Sequence, residues 1–384
     1  MDKLTPQEAQ RYSRHLVLQG FGAENQLKLR NASVLVVGAG GLGCPVLLYL
    51  TAAGVGTIGV VDSDKLEISN LQRQILYTLA DIGLNKAEAS VARLRQLNPL
   101  LSFTSYSERL TSANALAIVK KYDIVIDGTD NFPTRYLIND ACVLLDKPFV
   151  YASILEYEGQ AAVFNLRNSR GDFSANYRDI FPEPPPPDSI PNCEQAGVLG
   201  VLPGLLGCIQ ANEAIKIITG IGEPLSNKLL ILDSASMQQS LIRIPDHQAR
   251  RKIKTLIDYE DFCGINPGKN KSLTDKPLMM KEVTVQELKK MMDSKADFQL
   301  IDVREPHEYD ICNLHGELIP MSDIPANVDK ISKDKQVVLH CRSGKRSGDM
   351  LLWLEKNHGF KNLYNLKGGI LAWAREIDPE FPTY

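Results

Sequence analysis

Residues Gly38-Ala39-Gly40-Gly41-Leu42-Gly43 place four glycines in six positions, directly after the apolar run Ser33-Val34-Leu35-Val36-Val37 and before the apolar segment Pro45 to Ala53. This feature restricts the fold more than any other. A strand, a turn without side chains and a helix in succession leave backbone N–H groups bare at a helix N-terminus. There the amides and the helix dipole together hold a phosphate. The pattern therefore implies an α/β unit that handles a nucleotide, and leaves open which nucleotide.

The rest of the chain supports that class. From residue 33 to 150 apolar strand segments (33–37, 57–61, 123–127, 148–152) alternate with helical ones (44–53, 85–97, 112–120, 134–145), as a parallel α/β sheet requires. A helix near 203–219 and strands near 228–233 and 241–244 complete a domain over 1–245. The polar, basic stretch 246–281 reads as a linker. A second α/β unit over 282–384 has strands at 298–302 and 336–340 and a helix from Lys345 to Asn357. At 384 residues two domains are expected. The net charge of -3 argues against nucleic acid as the main partner. Seven scattered cysteines do not read as a secreted disulfide framework, and the expected setting is a reducing cytoplasm. The apolar stretch Ala196 to Ile209 is interrupted by Gly and Pro and reads as too short to span a bilayer.

Val60-Val61-Asp62 ends the second strand with an acid suited to a ribose hydroxyl pair, and to this point a nicotinamide dehydrogenase fits as well as an ATP enzyme. Three further features favour ATP. Arg73, within Asn70-Leu71-Gln72-Arg73-Gln74, and Lys86, after Gly83-Leu84-Asn85, supply cations that a triphosphate needs. Asp127-Gly128-Thr129-Asp130-Asn131 ends another strand with two carboxylates, and such an acid can hold Mg2+ against phosphate oxygens. Taken singly, Arg73 or Lys86 reads as a solvated helix face. Their placement after successive strand ends changes that.

Together with Arg11-Tyr12-Ser13-Arg14-His15 and Asn85-Lys86-Ala87, these elements resemble the ThiF/MoeB/HesA family of ubiquitin-activating-type adenylyltransferases. The resemblance covers Arg11 to about Ile244. It implies that ATP and the C-terminal Gly-Gly tail of a small ubiquitin-like sulfur carrier bind here, and that the carrier carboxylate attacks the α-phosphate. It also implies roles. Gly38, Gly40, Gly41 and Gly43 cradle phosphate, with Asn70 beside them. Asp62 holds the ribose, Arg73 and Lys86 grip phosphates, and Asp130 places Mg2+. In a homodimer Arg14 reaches the partner subunit's nucleotide. Cys193 follows the tract Pro184-Pro185-Pro186-Pro187. By itself it is an ordinary loop thiol, and the resemblance implies an acyl or disulfide partner near the adenylate. Many relatives also hold a structural zinc with two Cys-x-x-Cys pairs. The matching positions here are Asn176 to Asp179 and Glu260 to Cys263, and only Cys263 is a cysteine. No zinc site is expected.

The second unit carries Cys341-Arg342-Ser343-Gly344-Lys345-Arg346-Ser347-Gly348 between a strand and a helix. Helix-terminal amides and three cations stabilise a thiolate or persulfide there. Phosphatase loops look similar but place their arginine one residue later. With Ile301-Asp302-Val303-Arg304-Glu305 and Leu366-Lys367-Gly368-Gly369-Ile370-Leu371-Ala372-Trp373, the segment resembles a single-domain rhodanese, which implies a persulfide on Cys341. Asp302 and Arg304 read as structural, and His307, His315 and His340 as ordinary hydrogen-bonding histidines.

The expected fold is therefore a Rossmann-like ATP-binding domain with a mixed sheet, plus a small α/β rhodanese domain. The expected reaction is adenylation of the carrier followed by sulfur transfer, with a cysteine desulfurase as one class of sulfur donor. Three readings compete with it: a rhodanese domain with a separate role, a nicotinamide oxidoreductase, and a non-catalytic scaffold that binds a ubiquitin-like protein. Family members serve molybdopterin, thiamin, cysteine or tRNA thiolation pathways, and the sequence does not choose among them.

Overall fold

The computed structural model describes residues 3–185, 197–245, 252–264 and 280–383. The chain divides into two compact units, Met1–Asn270 and Lys271–Tyr384.

The first unit opens with α1 (Pro6–Arg11), α2 (Ser13–Leu16) and α3 (Gly22–Asn31). Strands β1 (Ser33–Val37), β2 (Thr57–Val61), β3 (Ser102–Tyr106) and β4 (Ile124–Asp127) follow, connected through α4 (Gly43–Ala53), α5 (Lys86–Leu97) and α6 (Ala115–Val119). Then come α7 (Phe132–Leu144), β5 (Phe149–Leu155), β6 (Glu158–Phe164), α8 (Val201–Thr219), β7 (Lys228–Asp233), β8 (Gln238–Arg243) and α9 (Tyr259–Phe262). The strands form one eight-stranded sheet in the order β3-β2-β1-β4-β5-β6-β7-β8. It is parallel as far as β5 and antiparallel from β6 onward. Strands β1, β2 and β4 are covered on both faces, so they carry nearly continuous apolar runs.

Two strands escape the sequence reading. In β3, Ser-Phe-Thr-Ser-Tyr buries only Phe103, because it lies at the sheet edge. In β6, Gly159 and two alanines carry little strand signal. Gly159 is needed there, since a Cβ would meet Leu202 Cδ1 at 3.3 Å and crowd Leu206.

Helix α8 corrects the reading of an interrupted apolar stretch. It runs unbroken for 19 residues, and by length and composition it could cross a bilayer. Pro203 falls in the first turn, where its missing N–H costs nothing. A Cβ on Gly207 would meet Leu42 O at 2.5 Å, so that glycine lets α8 lie close against α4. The helix packs on α3, α4, β5 and β6. Buried Gln210 donates to Asp127 O (2.7 Å), and Glu213 pairs with Lys216 (2.5 Å). It is a core helix.

The stretch read as a linker is also partly built into the first unit. Tyr259 and Cys263 are buried with Tyr136 and Tyr177 in one apolar cluster, and Ser112 Oγ donates to Ile257 O (2.6 Å).

The second unit runs β9 (Glu282–Val283), α10 (Val285–Asp293), β10 (Phe298–Asp302), α11 (Pro306–Ile311), β11 (Glu317–Leu318), β12 (Gln336–His340), α12 (Lys345–His358), β13 (Leu363–Leu366) and α13 (Gly369–Glu376). Its five-stranded sheet is parallel throughout, in the order β11-β10-β12-β13-β9. β9 and β11 have two residues each, too short to show an alternating pattern.

Candidate functional site

The chain leaves β1, moves outward through β2 to β3, and returns to the other side of β1 as β4. The loops beyond the carboxyl ends of β1 and β4 therefore diverge, and open α/β sheets bind ligands at that switch point. The glycine turn is one lip and Gly128–Asp130 the other. Gly38 has φ 93°, and a Cβ on it would lie 2.6 Å from Gly128 O. Gly38 N–H donates to Val61 O (2.8 Å) and Gly128 N–H donates to Val37 O (2.7 Å). Backbone packing alone demands glycine at Gly38, and Gly43 also lies against the Gly38 carbonyl. Gly40 and Gly41 instead face side chains: Gln74 Nε2 at 3.7 Å from a Cβ on Gly40, Pro203 Cβ at 3.2 Å and Arg73 Cγ at 3.5 Å from one on Gly41. The segment from Asn70 to Gln74 thus lies along the turn.

Asp62, just past β2, accepts Ala39 N–H on Oδ2 (2.8 Å) and Asp64 N–H on Oδ1 (2.9 Å). Burial pushes its carboxyl above the ordinary range, opposed by those two amides and by the charge of Lys86. Lys86 is buried at the start of α5 and pairs with Asp64 (3.1 Å). Buried Tyr77 directs its hydroxyl at Ala39 O (2.8 Å) and Lys86 O (3.2 Å), tying the turn to α5. Half-buried Arg73 donates to Ser69 O (3.2 Å), and Asn70 accepts Glu67 N–H (3.1 Å), holding its own turn. The two carboxylates after β4 separate by environment. Asp127 is fully buried, accepting from Arg135 Nε (3.0 Å) and from Thr129 N–H (2.8 Å) and Oγ1 (2.5 Å). Asp130 is exposed.

The structure thus brings Gly38, Gly40, Gly41, Gly43, Asp62, Arg73 and Lys86 together around the turn, while Asn70 holds the segment that carries Arg73 and exposed Asp130 follows the Gly128 lip. Arg14 is not among them; it is exposed on α2 and joins none of these hydrogen bonds. Tyr77, Arg135 and Gln210, which shape the lips, carry no sequence signal: each acts through a contact at a separation that no local pattern encodes. Gln210 Oε1 and Gln74 Oε1 are buried without a hydrogen-bond partner.

The four positions that would match a zinc site have other partners or apolar surroundings. Asn176 and Asp179 cap each other (2.7 Å), Glu260 pairs with Arg109 (2.7 Å), and burial pushes the Cys263 thiol up to about 11. Among the described residues no group of three His, Cys, Asp or Glu is placed to hold a metal. Arg178 occupies the centre instead. Its Nε and Nη2 donate to Asp140 Oδ1 and Oδ2, both at 2.8 Å, and Tyr259 Oη donates to the same carboxylate (2.8 Å). The guanidinium lies over the Tyr136 and Phe262 rings, 4.8 Å from each centroid. One arginine joins the two segments that a metal would have joined, and these residues do not fit zinc.

In the second unit Cys341 follows β12 and precedes α12, and its side chain is buried. Gly344 N–H donates to Cys341 Sγ (3.2 Å), and Ser347 Oγ lies 3.4 Å from it. Arg346 forms a two-pronged pair with Glu308 (2.7 Å each). The loop rests on the turn before α13. A Cβ on Gly369 would touch the Cys341 and Arg342 carbonyls at 2.5 Å, while Ile370 N–H and Leu371 N–H donate to those carbonyls (3.0 and 3.1 Å). Behind it Asp302 and Arg304 form a fully buried pair (2.6 Å). His340 departs from expectation: both ring nitrogens are buried without a hydrogen-bond partner, Asp302 being nearest at 3.6 Å, and burial pushes its pKa down to about 4.

The ThiF family model matches residues 12–253. The chain belongs to the ThiF family. A second match, to the rhodanese-like domain, covers residues 284–376. This ThiF-family chain is similar over its whole length to the probable adenylyltransferase/sulfurtransferase MoeZ of Mycobacterium tuberculosis, with 44% identity over 99% of this chain and 96% of that protein. It is also similar to the adenylyltransferase and sulfurtransferase MOCS3 of Culex quinquefasciatus, with 41% identity over 100% of this chain and 91% of that one. Among solved structures, E. coli MccB + ATP shares the fold, with a TM-score of 0.53, 24% identity, and coverage of 62% of this chain and 72% of that one. The family's loop cysteine, Cys193, lies outside the described residues.

Proposed function

We propose that this chain is an adenylyltransferase and sulfurtransferase that activates the C-terminal glycine of a ubiquitin-like sulfur carrier and delivers sulfur to it. The observation that carries the reading is the convergence of Asp62, Arg73 and Lys86 on the glycine turn, facing an exposed Asp130 across the crevice. Likeness over the full length to relatives named adenylyltransferase and sulfurtransferase supports it.

In the first half-reaction ATP lies along the turn, its ribose at Asp62 and its phosphates toward Arg73 and Lys86. Lys86 is held by Asp64, an exposed partner that a phosphate can replace. The carrier carboxylate attacks the α-phosphorus, a P–O bond forms, and pyrophosphate leaves with its electron pair. The chain's work is positioning and charge neutralisation. Asp130 would hold Mg2+, which offsets phosphate charge when bound. Arg14 completes the site of the partner subunit in a homodimer, and the Arg178 cluster stands where relatives hold zinc.

In the second half-reaction the outer sulfur of a Cys341 persulfide attacks the acyl carbon and AMP leaves. The Cys193 thiolate then attacks Cys341 Sγ and the carrier thiocarboxylate departs. A cellular dithiol reduces the resulting disulfide, and a cysteine desulfurase or similar donor reloads Cys341.

The test is ATP–pyrophosphate exchange against a panel of small carriers ending in Gly-Gly. Exchange that depends on one carrier is expected. Carrier binding without exchange would leave a scaffold, and NAD binding in place of ATP would point to an oxidoreductase.

A further inference from the structure

Next to Cys341 one hydroxyl has two acceptors and a single proton. Ser347 is fully buried in the first turn of α12, its Oγ 2.6 Å from Asn365 Oδ1 and 3.4 Å from Cys341 Sγ. Buried Asn365 comes from β13, and its Nδ2 donates to Gly344 O (2.9 Å), which turns Oδ1 toward Ser347. A serine carries one donor and two lone pairs. Against a neutral thiol the amide oxygen takes the proton, and the Ser347 oxygen is left able to accept the Cys341 S–H. Against a thiolate the balance reverses, because a charged acceptor makes the stronger bond. Gly344 N–H already donates to Sγ. Ser347 can add a second donor at the moment the sulfur becomes charged.

We propose that Ser347, oriented by Asn365, is a positioning residue that donates to the Cys341 thiolate during sulfur loading. This rests on the sulfurtransferase reading above. In that step Cys341 gives its proton to solvent and Sγ attacks the outer sulfur of a donor. With thiosulfate as donor, a new S–S bond forms to Cys341, the old S–S bond breaks, and sulfite leaves with the electron pair. The negative charge then sits on the outer sulfur of the persulfide. Sγ no longer competes for the proton, and Ser347 returns to Asn365. The hydroxyl therefore acts on the thiolate and not on the loaded state.

Among the described residues, the charged or titratable groups on the elements beside Sγ include Arg342, Lys345 and Arg346 in the loop, Glu308 on Arg346, and Asp302, Arg304 and His340 behind β12. Substitution at position 347 leaves all of them in place.

The test uses the full-length protein with Ser347→Ala and Ser347→Thr. Alkylation of Cys341 by iodoacetamide is followed across pH by mass of its peptide, and persulfide loading from thiosulfate is followed by cyanolysis. Ser347→Ala is expected to slow loading roughly tenfold and to move the alkylation midpoint upward by about one pH unit, the size of a hydrogen bond to a charged group. Ser347→Thr is expected to recover most of both. Both tryptophans, Trp353 and Trp373, lie in this unit, so their fluorescence reports that each variant is folded. An alkylation profile and loading rate within twofold of the parent for Ser347→Ala would overturn the proposal, as would a loss that threonine does not recover. Failure of the parent itself to load sulfur would overturn the sulfurtransferase reading and this inference with it. Normal loading in the parent with no effect at position 347 would remove Ser347 alone.

Discussion

Asp127 and Asp130 stand three residues apart and do different things, and the difference lies in their surroundings. Asp127 spends its oxygens on Arg135 and Thr129 inside the protein, while Asp130 faces solvent at the crevice. Asp130→Ala is therefore expected to lose carrier-dependent pyrophosphate exchange while leaving thermal unfolding unchanged, and the same variant measured in both assays checks it. Lys86→Ala removes a buried cation from the phosphate path, and kcat/KM for exchange is expected to fall on the order of 10²-fold, the scale of losing one charge-stabilising group. His340 makes a separate prediction. Burial lowers its pKa from 6.5 to about 4, so as pH falls the unfolded chain takes up this proton before the folded one does. Stability from this group is complete above 6.5 and is lost as pH falls toward 4. Between pH 7.5 and 4.5 the loss amounts to about 2 to 3 kcal/mol. Urea unfolding followed by tryptophan fluorescence should show that slope in the parent and a flatter one in His340→Leu.

At the scale of elements, the sequence was most legible where burial on two faces forces nearly continuous apolar runs, as in β1, β2 and β4. It was least legible where neighbours supply what the strand lacks. β6 is held between β5 and β7, and its glycine answers to α8, not to its own strand. The same holds for α9, whose place is decided by Asp140 and Arg178 from distant parts of the chain. That cluster yields a stability prediction. Asp140 and Arg178 are largely buried, with side-chain exposures of 3% and 13%. Arg178→Ala would leave the carboxylate without its charge partner. A loss of about 3 kcal/mol is expected, a fall in Tm of roughly 6–12 °C for a unit of this size. If Arg178 bears the load that a metal would otherwise carry, as proposed, a strong chelator should leave the Tm of the parent unchanged. Stoichiometric zinc in the purified protein, or a chelator-induced fall in Tm, would contradict the arginine tie.

At the scale of the whole molecule, two units with separate sheets and separate apolar cores share one chain. The proposed reaction gives each a separable task. Cys341→Ala is expected to keep carrier-dependent pyrophosphate exchange and to lose thiocarboxylate formation, read by the mass of the carrier. Loss of both activities would refute the division of labour. The sequence by itself determined the local chemistry. A glycine turn between strand and helix, an acid at a strand end and a thiol among cations are decided by residues adjacent in the chain, whose backbone geometry is nearly forced. Only the tertiary structure decided which of those groups are free to act. Asp127 and Asp130, Arg178 between two segments, and Ser347 between Cys341 and Asn365 depend on contacts between separate elements or on burial, and neither is written in a local pattern.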